Sequence, residues 1–232
     1  MAATDEIRLI GYPVSNYFNI VRAALIEKAV QYALDICPAS QTEEFLAKNP
    51  MGKIPVLASG DVYIAETIAI LEYLDDAYPE TSLRPDNLAT RALMRQINNV
   101  VQVYLELPAR ALYPGLFMGQ SNSDQQTAVF TQSLDRAIIA LGRLLKPAPF
   151  LLGDALSQAD LFAYYNLGMA ERVANAALGR SIIDELALKS WWSDMAQRSS
   201  TQTVMGDFET YLATYLKEKK SDYILVPHFS EN

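Results

Sequence analysis

The 232-residue sequence contains one cysteine, Cys37, and one histidine, His228. A single cysteine cannot form an internal disulfide, which is typical of a protein from a reducing compartment. One cysteine and one histidine are also too few for a four-ligand zinc site. We therefore expect no disulfide and no bound metal. Cys37 is interpreted as a small buried apolar side chain, and His228 as an exposed residue near the end of the chain.

Basic residues are scarce, because 19 Lys and Arg stand against 27 Asp and Glu and give a net charge of −8. This balance argues against nucleic acid or an anionic membrane as a partner. No apolar run approaches the length of a membrane span. Strand-like sequence begins at Ile7, so we expect no signal peptide. Half of the residues are hydrophobic, and we predict a soluble cytoplasmic protein with a substantial core.

The most informative stretch covers residues 49–74. Two short apolar runs, 54–57 and 62–64, lie on either side of the turn signal Ser59-Gly60-Asp61, which predicts a β-hairpin. Apolar residues then recur at spacings of three and four between positions 67 and 78, which predicts an amphipathic helix that Pro79 ends.

Two features of this stretch go beyond ordinary secondary structure. Pro55 heads the first strand although proline lacks the N–H that a central strand needs. We predict a cis peptide bond before it, the alternative being a trans proline at a sheet edge. Glu66-Thr67 opens the helix, and a hydroxyl beside free N–H groups at a helix start can bind an anion.

The order of elements before position 80 is βαβ-α-ββα, with strands predicted at 7–10 and 32–36 on either side of the first helix. This is the order of a thioredoxin-like domain, in which the first two strands are parallel and the hairpin antiparallel. After it, helices are predicted over 88–105, 124–145 and from about 157, 188 and 204. Leu156-Ser157-Gln158-Ala159-Asp160-Leu161 has the pattern of a capping box with a hydrophobic staple.

These features together resemble the cytosolic glutathione transferases. The polar turn, the strand headed by Pro55, the hairpin and the Glu66-Thr67 helix start are similar to the glutathione-binding half, where the family usually has Glu-Ser. The resemblance covers nearly the whole chain and is diffuse between 96 and 149. It implies a thioredoxin-like domain over 1–80, a linker over 81–90, a C-terminal all-helical bundle over 91–220 and a tail over 221–232. It also implies glutathione as co-substrate and a homodimer.

Within the resemblance, Ser15 takes the catalytic position of serine-type members, seven residues before Arg22. A hydroxyl that donates to sulfur, together with the positive end of a helix, favours the thiolate. From its position alone, Ser15 could equally serve only to cap the helix. Asn16-Tyr17 replaces the Pro-Phe that often follows the serine. Asn16 is expected to be solvated in the first turn, the alternative being a second donor to the sulfur.

Two other residues are candidates for the catalytic position. Tyr12 is the rival, because some members use a tyrosine at the end of the first strand. Alignment on Pro13 and Arg22 instead puts Gly11 at that place. Cys37 lies at the end of the second strand and is disfavoured as a catalytic cysteine.

The resemblance also implies the binding residues. Ile54 would offer its backbone to the cysteinyl part of glutathione, beside Pro55. Glu66 and Thr67 would hold the γ-glutamyl end, and Lys53 could pair with the glycine carboxylate. The second-substrate pocket is assigned to residues near a break in the first long helix, together with Tyr12: Tyr104, Leu107, Tyr113, Phe117 and Met118. An aromatic cluster at these spacings is also typical of a core, which is the alternative for these residues.

Three functions remain open from the sequence. The first is conjugation of the glutathione thiolate to a small electrophile, and the second is glutathione-dependent reduction or isomerisation of disulfides. The third is a non-catalytic interaction module, which is ranked last because Ser15, Glu66 and Thr67 are kept. The apolar tail, 223–229, is predicted to pack on the helical half.

Overall fold

The structure, a computed structural model, describes residues 6–225. Val226 and Phe229, which belong to the predicted packed tail, and His228 lie outside the described residues.

Four strands within residues 6–225 form one sheet, in the spatial order β2-β1-β3-β4. β1 pairs in parallel with β2 and antiparallel with β3, and β3 pairs antiparallel with β4. The parallel pair and the closing hairpin are therefore confirmed. The elements of this half are β1 Ile7–Gly11, α1 Asn16–Glu27, β2 Tyr32–Ile36, α2 Glu43–Leu46, β3 Val56–Ser59, β4 Val62–Ala65 and α3 Thr67–Ala77.

All the named elements in the described part of the second half are helical, so the predicted combination of a thioredoxin-like domain and a helical bundle is confirmed. None of the helices in the described part of the chain is long and apolar enough to cross a membrane. The helices are α4 Leu88–Val100, a π-helical turn Val101–Glu106, α5 Leu107–Arg110, α6 Tyr113–Phe117, α7 Asp124–Leu144, α8 Gln158–Leu178, α9 Ile182–Glu185, α10 Lys189–Ala196 and α11 Ser199–Lys219.

Helix α1 is largely buried. It packs against α3 in its own half and against α8 and α11 in the helical half, which explains why most of its residues are apolar. Even Arg22 and the C-cap residue Lys28 are buried and ion-paired. Arg22 Nη1 lies 2.6 Å from Asp207 Oδ2, and Lys28 Nζ lies 2.7 Å from Asp75 Oδ1. The fully buried residues of α1 are Phe18, Ile20, Val21, Ala23, Ala24 and Leu25.

The first long helix of the second half differs from its prediction. The pattern predicted one helix over 88–105, but the α-helix gives way to the π-helical turn after Val100. Pro108 has no N–H to donate to the carbonyl of Tyr104, four residues earlier. That carbonyl instead accepts a hydrogen bond from Ser133 Oγ of α7 at 2.7 Å. The π turn changes which side chains of this segment face inward.

Helix α8 begins with the predicted capping box. Asp160, which is completely buried, accepts hydrogen bonds from the N–H of Ser157 at 3.0 Å and from that of Leu151 at 2.8 Å. It also accepts one from Trp191 Nε1 of α10 at 3.0 Å. This one carboxylate therefore holds a loop and two helices together.

A second buried carboxylate, Asp75, joins the two halves. Besides its ion pair with Lys28, it accepts from the N–H of Leu83 at 2.8 Å and from Gln158 Nε2 of α8 at 2.6 Å. Donors from both halves meet at this one group, which limits how the halves can move relative to each other.

The described part of the tail packs only partly as predicted. The Tyr223 ring meets Phe117 edge-on at 4.9 Å, and Leu225 contacts the core. Ile224, however, is 83% exposed, so its predicted burial is wrong.

Removal of the Asp160 carboxylate should destabilise the protein severely. Asp160→Ala leaves buried donors without partners, at about 1–3 kcal/mol for each, so a loss of roughly 3 kcal/mol or more in unfolding free energy is expected. Urea unfolding followed by circular dichroism measures this. Asp154→Ala, at an exposed loop position, is the matched control and should change stability by less than about 0.5 kcal/mol. Equal effects of the two substitutions would contradict the structural role of Asp160.

Candidate active site

A cavity of about 460 Å³ opens between the N-terminal half and the helical half. Each predicted catalytic and glutathione-binding residue lines it, as do five of the six residues assigned to the second-substrate pocket. The predicted residues that the structure brings together are Tyr12, Ser15, Lys53, Ile54, Pro55, Glu66, Thr67, Tyr113 and Phe117. Leu107, Met118, Met169 and Leu212 complete much of the helical wall.

Tyr104 does not line this cavity. Its side chain is 54% exposed, and it lies on the π-helical turn whose opposite side faces the core. Tyr104 was assigned to the pocket because it lies near a break in the helix, but on the π turn its side chain does not reach the cavity.

Ser15 is the N-cap of α1, at the junction between β1 and α1. Its Oγ accepts a hydrogen bond from the N–H of Phe18 at 3.3 Å, and its own N–H donates to the carbonyl of Tyr12 at 2.9 Å. Capping uses the hydroxyl only as an acceptor, so its single O–H remains for another partner. The capping role and a role in the cavity are therefore compatible.

The Ile54–Pro55 peptide bond is cis, as predicted. The turn before it is fixed by Asn49, whose Nδ2 donates to the carbonyl of Lys53 at 2.7 Å. Gly52 in this turn has φ of +62°, and a Cβ there would lie 2.5 Å from the carbonyl oxygen of Ser40. Glycine is therefore required for the turn that presents Lys53 and Ile54 to the cavity.

The start of α3 presents the other predicted binding residues. Thr67 is buried at its first position, while Glu66, the N-cap, is exposed with φ of +67°. A non-glycine residue in this left-handed region costs about 1–3 kcal/mol, and such strain is concentrated at functional sites. The conformation of Glu66 is an independent indication that this helix start has a function.

Sequence reasoning missed a buried carboxylate beneath the cavity, Glu106, which is 0% exposed. It accepts hydrogen bonds from Asn16 Nδ2 at 3.1 Å, from the Tyr17 hydroxyl at 2.7 Å and from the Tyr113 hydroxyl at 3.4 Å. Arg110 forms an ion pair with it through Nη2. The spacing of Glu106 and Arg110, four residues apart in an otherwise apolar stretch, was the signal that could have indicated this pair.

Asn16 is not solvated, contrary to expectation, and is only 4% exposed. Its Nδ2 donates to Glu106 and also to Asn166 Oδ1 of α8 at 2.6 Å, and its Oδ1 accepts from Arg110 Nη2 at 3.0 Å. Both ends of the amide are therefore engaged. Asn16 ties the residue next to Ser15 to the helical half.

The two phenols that donate to Glu106 stay protonated at neutral pH. Burial, followed by the nearby charge of Glu106, raises the pKa of Tyr17, and the same causes raise the pKa of Tyr113 well above its usual value. Their O–H groups are directed to the carboxylate, so neither tyrosine is well placed to donate to a thiolate as well.

The two rejected catalytic candidates differ in position. Tyr12 lines the cavity, packs edge-on against Tyr211 at 5.3 Å and has a pKa raised by burial and by the charge of Glu218. Cys37 is half-buried rather than buried and does not line the cavity, and burial raises the pKa of its thiol. Among residues 6–225 there is no cluster of three or more His, Cys, Asp or Glu that could hold a metal ion.

Two family models match this chain. The one described as "Glutathione S-transferase, N-terminal domain" matches residues 9–82, and the one described as "Glutathione S-transferase, C-terminal domain" matches residues 124–193. The first range contains every lining residue of the N-terminal wall, whereas the second contains only Met169 of the helical wall.

Individual proteins give the same picture. A glutathione S-transferase from Pseudomonas putida is 29% identical over 225 residues, which cover 97% of this chain and 96% of the relative. Glutathione S-transferase 1 from Dianthus caryophyllus is 32% identical over 68% of this chain and 75% of its own length. The crystal structure of a glutathione S-transferase from Rhodospirillum rubrum F11 superposes with a TM-score of 0.72 at 26% identity, over 86% of this chain and 91% of that one.

The raised pKa of Tyr17 predicts how the stability of the protein changes at alkaline pH. Above pH 10 a tyrosine in the unfolded chain ionises whereas Tyr17 in the folded protein stays protonated, so the unfolding free energy of the wild-type protein falls as pH rises. Tyr17→Phe removes a hydrogen bond to Glu106 and should cost about 1.5–3 kcal/mol at pH 8. The gap between variant and wild type should then narrow by about 1.4 kcal/mol per pH unit above pH 10. Urea unfolding at pH 8 and pH 11 measures both values, and a constant gap would contradict the raised pKa.

Proposed function

The chain belongs to the glutathione S-transferase family, which uses glutathione as co-substrate, and on that premise we propose that it transfers the glutathione thiolate to a small electrophile. One observation carries the proposal: the Ser15 hydroxyl at the start of α1 shares a cavity with cis-Pro55 and with the Glu66-Thr67 helix start. These groups supply a place for a peptide backbone, a place for an anion and a donor between them.

The tripeptide would lie along the N-terminal wall. The backbone of Ile54, just before the paired residues of β3, would bond to the cysteinyl part as an added strand does. Thr67 and the free N–H groups of the α3 start would hold the γ-glutamyl carboxylate, and Glu66 its amine. Lys53, exposed at the cavity, would pair with the glycine carboxylate.

Ser15 would favour the charged form of the sulfur. A free thiol has a pKa of about 8.5, so only a few per cent is thiolate at neutral pH. The Ser15 O–H and the positive end of α1 both stabilise an anion at this point. A fall of about two pKa units would require the thiolate to be stabilised by roughly 2.7 kcal/mol relative to the thiol. Most of the bound glutathione would then carry an ionised sulfur at neutral pH.

The thiolate would then attack an electrophilic carbon, forming a carbon–sulfur bond as the leaving group departs with its electron pair. The helical wall would hold the electrophile through Leu107, Tyr113, Phe117 and Met118. These side chains are mostly apolar, so the body of the substrate is expected to be hydrophobic.

The alternative of disulfide reduction is less well supported. A protein thiol that forms a mixed disulfide is the usual route to thiol–disulfide exchange. In our proposal Ser15 takes the position of such a thiol, and the chain's one cysteine, Cys37, does not line the cavity. Turnover of an aryl halide compared with turnover of a glutathione-linked disulfide separates the two activities. Failure to bind glutathione would favour a non-catalytic interaction module.

Ser15→Ala should damage the chemical step much more than glutathione binding. The substitution removes a donor aimed at sulfur, and hydrogen bonds to ions are about twice as strong as neutral ones. A loss of roughly 2–4 kcal/mol corresponds to a 30- to 1,000-fold fall in rate. Thiolate absorbance of bound glutathione, measured against pH, should show the thiol pKa rising toward its solution value. If the titration curve is unchanged in Ser15→Ala but shifted in Tyr12→Phe, the assignment of Ser15 as the donor to sulfur is wrong.

Thr67→Ala is the matched comparison in the same cavity. It removes a group that holds the tripeptide rather than the sulfur, so it should weaken glutathione binding and change the thiol pKa less than Ser15→Ala does. Calorimetric titration with glutathione gives the affinity of each variant.

We also propose a homodimer in which the N-terminal half of one chain packs on the helical half of the other. Large apolar side chains are exposed on both halves, including Val62 on the edge strand β4 at 59% and Tyr104 at 54%. Sedimentation should therefore give about 52 kDa, twice the chain mass of 25.8 kDa. A fully active species of one chain mass at all dilutions would rule the dimer out.

A further inference from the structure

The cavity is lined by a cation, Arg110, that the proposed glutathione site does not use. Lys53 stands on the N-terminal wall, but Arg110 belongs to α5 in the helical half, beside the apolar residues proposed to hold the electrophile. Its side chain is 41% exposed, whereas the paired Glu106 is 0% exposed. The positive member of the ion pair therefore faces the cavity and the negative member lies beneath it.

The Arg110 guanidinium is held in one place by its neighbours. It lies over the Tyr17 ring at 5.4 Å and over the Tyr113 ring at 5.1 Å, so two aromatic faces enclose it. Its Nη2 donates to Asn16 Oδ1 and to Glu106. Little side-chain entropy remains to be lost when a ligand binds to a cation fixed in this way.

Glu106 does not use up the donors of Arg110. The carboxylate also accepts from Asn16, Tyr17 and Tyr113, so three neutral donors share in its stabilisation. A guanidinium has five N–H donors. Every hydrogen bond from Arg110 found among residues 6–225 starts at Nη2, which leaves those of Nε and Nη1 for a ligand.

We propose that Arg110 determines specificity in the second-substrate pocket and that the preferred electrophile carries a carboxylate. This inference rests on the transferase function proposed above and adds a charge requirement to it. The apolar wall would hold the body of the electrophile, and Arg110 would bind its carboxylate by charge-assisted hydrogen bonds. The rest of the charged lining, Lys53 and Glu66, belongs to the glutathione end of the cavity.

A matched pair of electrophiles isolates the charge. In 4-chloro-3-nitrobenzoate and 4-chloro-3-nitrobenzamide, the thiolate attacks the carbon that bears chlorine, a carbon–sulfur bond forms, and chloride leaves with the electron pair. Their products, S-(4-carboxy-2-nitrophenyl)glutathione and S-(4-carbamoyl-2-nitrophenyl)glutathione, differ only in acid against amide. Calorimetric titration of the full chain with each product measures the acid preference without any dependence on turnover.

The wild-type protein should bind the acid product about 10- to 100-fold more tightly than the amide, the usual contribution of hydrogen bonds to a charged group. Arg110→Gln should bring that ratio close to one. Because this substitution leaves Glu106 buried and unpaired, the double variant Glu106→Gln/Arg110→Gln is the second test, and it should lose the preference equally. Glu106→Gln alone should keep or increase it, since Arg110 remains.

Arg143→Gln is the charge-matched control, because Arg143 is exposed on α7 and outside the cavity. It should leave the ratio unchanged. Equal affinity of the wild-type protein for the two products overturns the inference. So does loss of the preference in Glu106→Gln, since that would give the cluster a purely structural role. Discrimination between the products without turnover of either chloride would instead overturn the transferase function and leave the Arg110 site standing.

Discussion

The burial of α1 between the sheet and the helical half is the constraint on which the site depends. Most of its side chains are buried because α3 packs against it in its own half and α8 and α11 pack against it in the helical half. A helix held in this way cannot shift without disturbing both cores. Its first turn, with Ser15 as cap and Asn16 next to it, is consequently fixed where the two halves meet. The position of the Ser15 hydroxyl is therefore fixed by packing contacts that lie far from the cavity as well as by its immediate neighbours.

Two buried carboxylates complete that arrangement. Asp75 accepts hydrogen bonds from Lys28 and from Gln158 on one side of the junction. Glu106 accepts hydrogen bonds from Asn16 and from Tyr17 beneath the cavity. Each would cost several kcal/mol if left without its partners, and each takes partners from both halves. The relative placement of the halves, and with it the width of the cavity, is therefore determined by groups that serve no substrate directly.

Features encoded by neighbouring residues could be predicted from the sequence, because turns, caps and proline geometry depend on a few adjacent positions. The hairpin after Pro55, the cis bond and the box at Ser157 are of this kind. Asn16 was misjudged because its partners lie 90 and 150 residues away, where no local pattern reaches. Tyr104 was misplaced because the π turn follows from Pro108 together with Ser133 of another helix. Arg110 was not predicted as a site residue, because its role depends on which member of the Glu106–Arg110 ion pair faces the cavity, and this is set by the tertiary structure.

A crystal structure of the protein with glutathione bound tests the role of Ser15 most directly. The expected result has the sulfur within hydrogen-bond distance of Ser15 Oγ, the cysteinyl backbone paired with Ile54 and the γ-glutamyl carboxylate at the start of α3 beside Thr67. Contrary evidence would be a sulfur placed against the hydroxyl of Tyr12 or Tyr113, with Ser15 Oγ out of reach and still only capping α1.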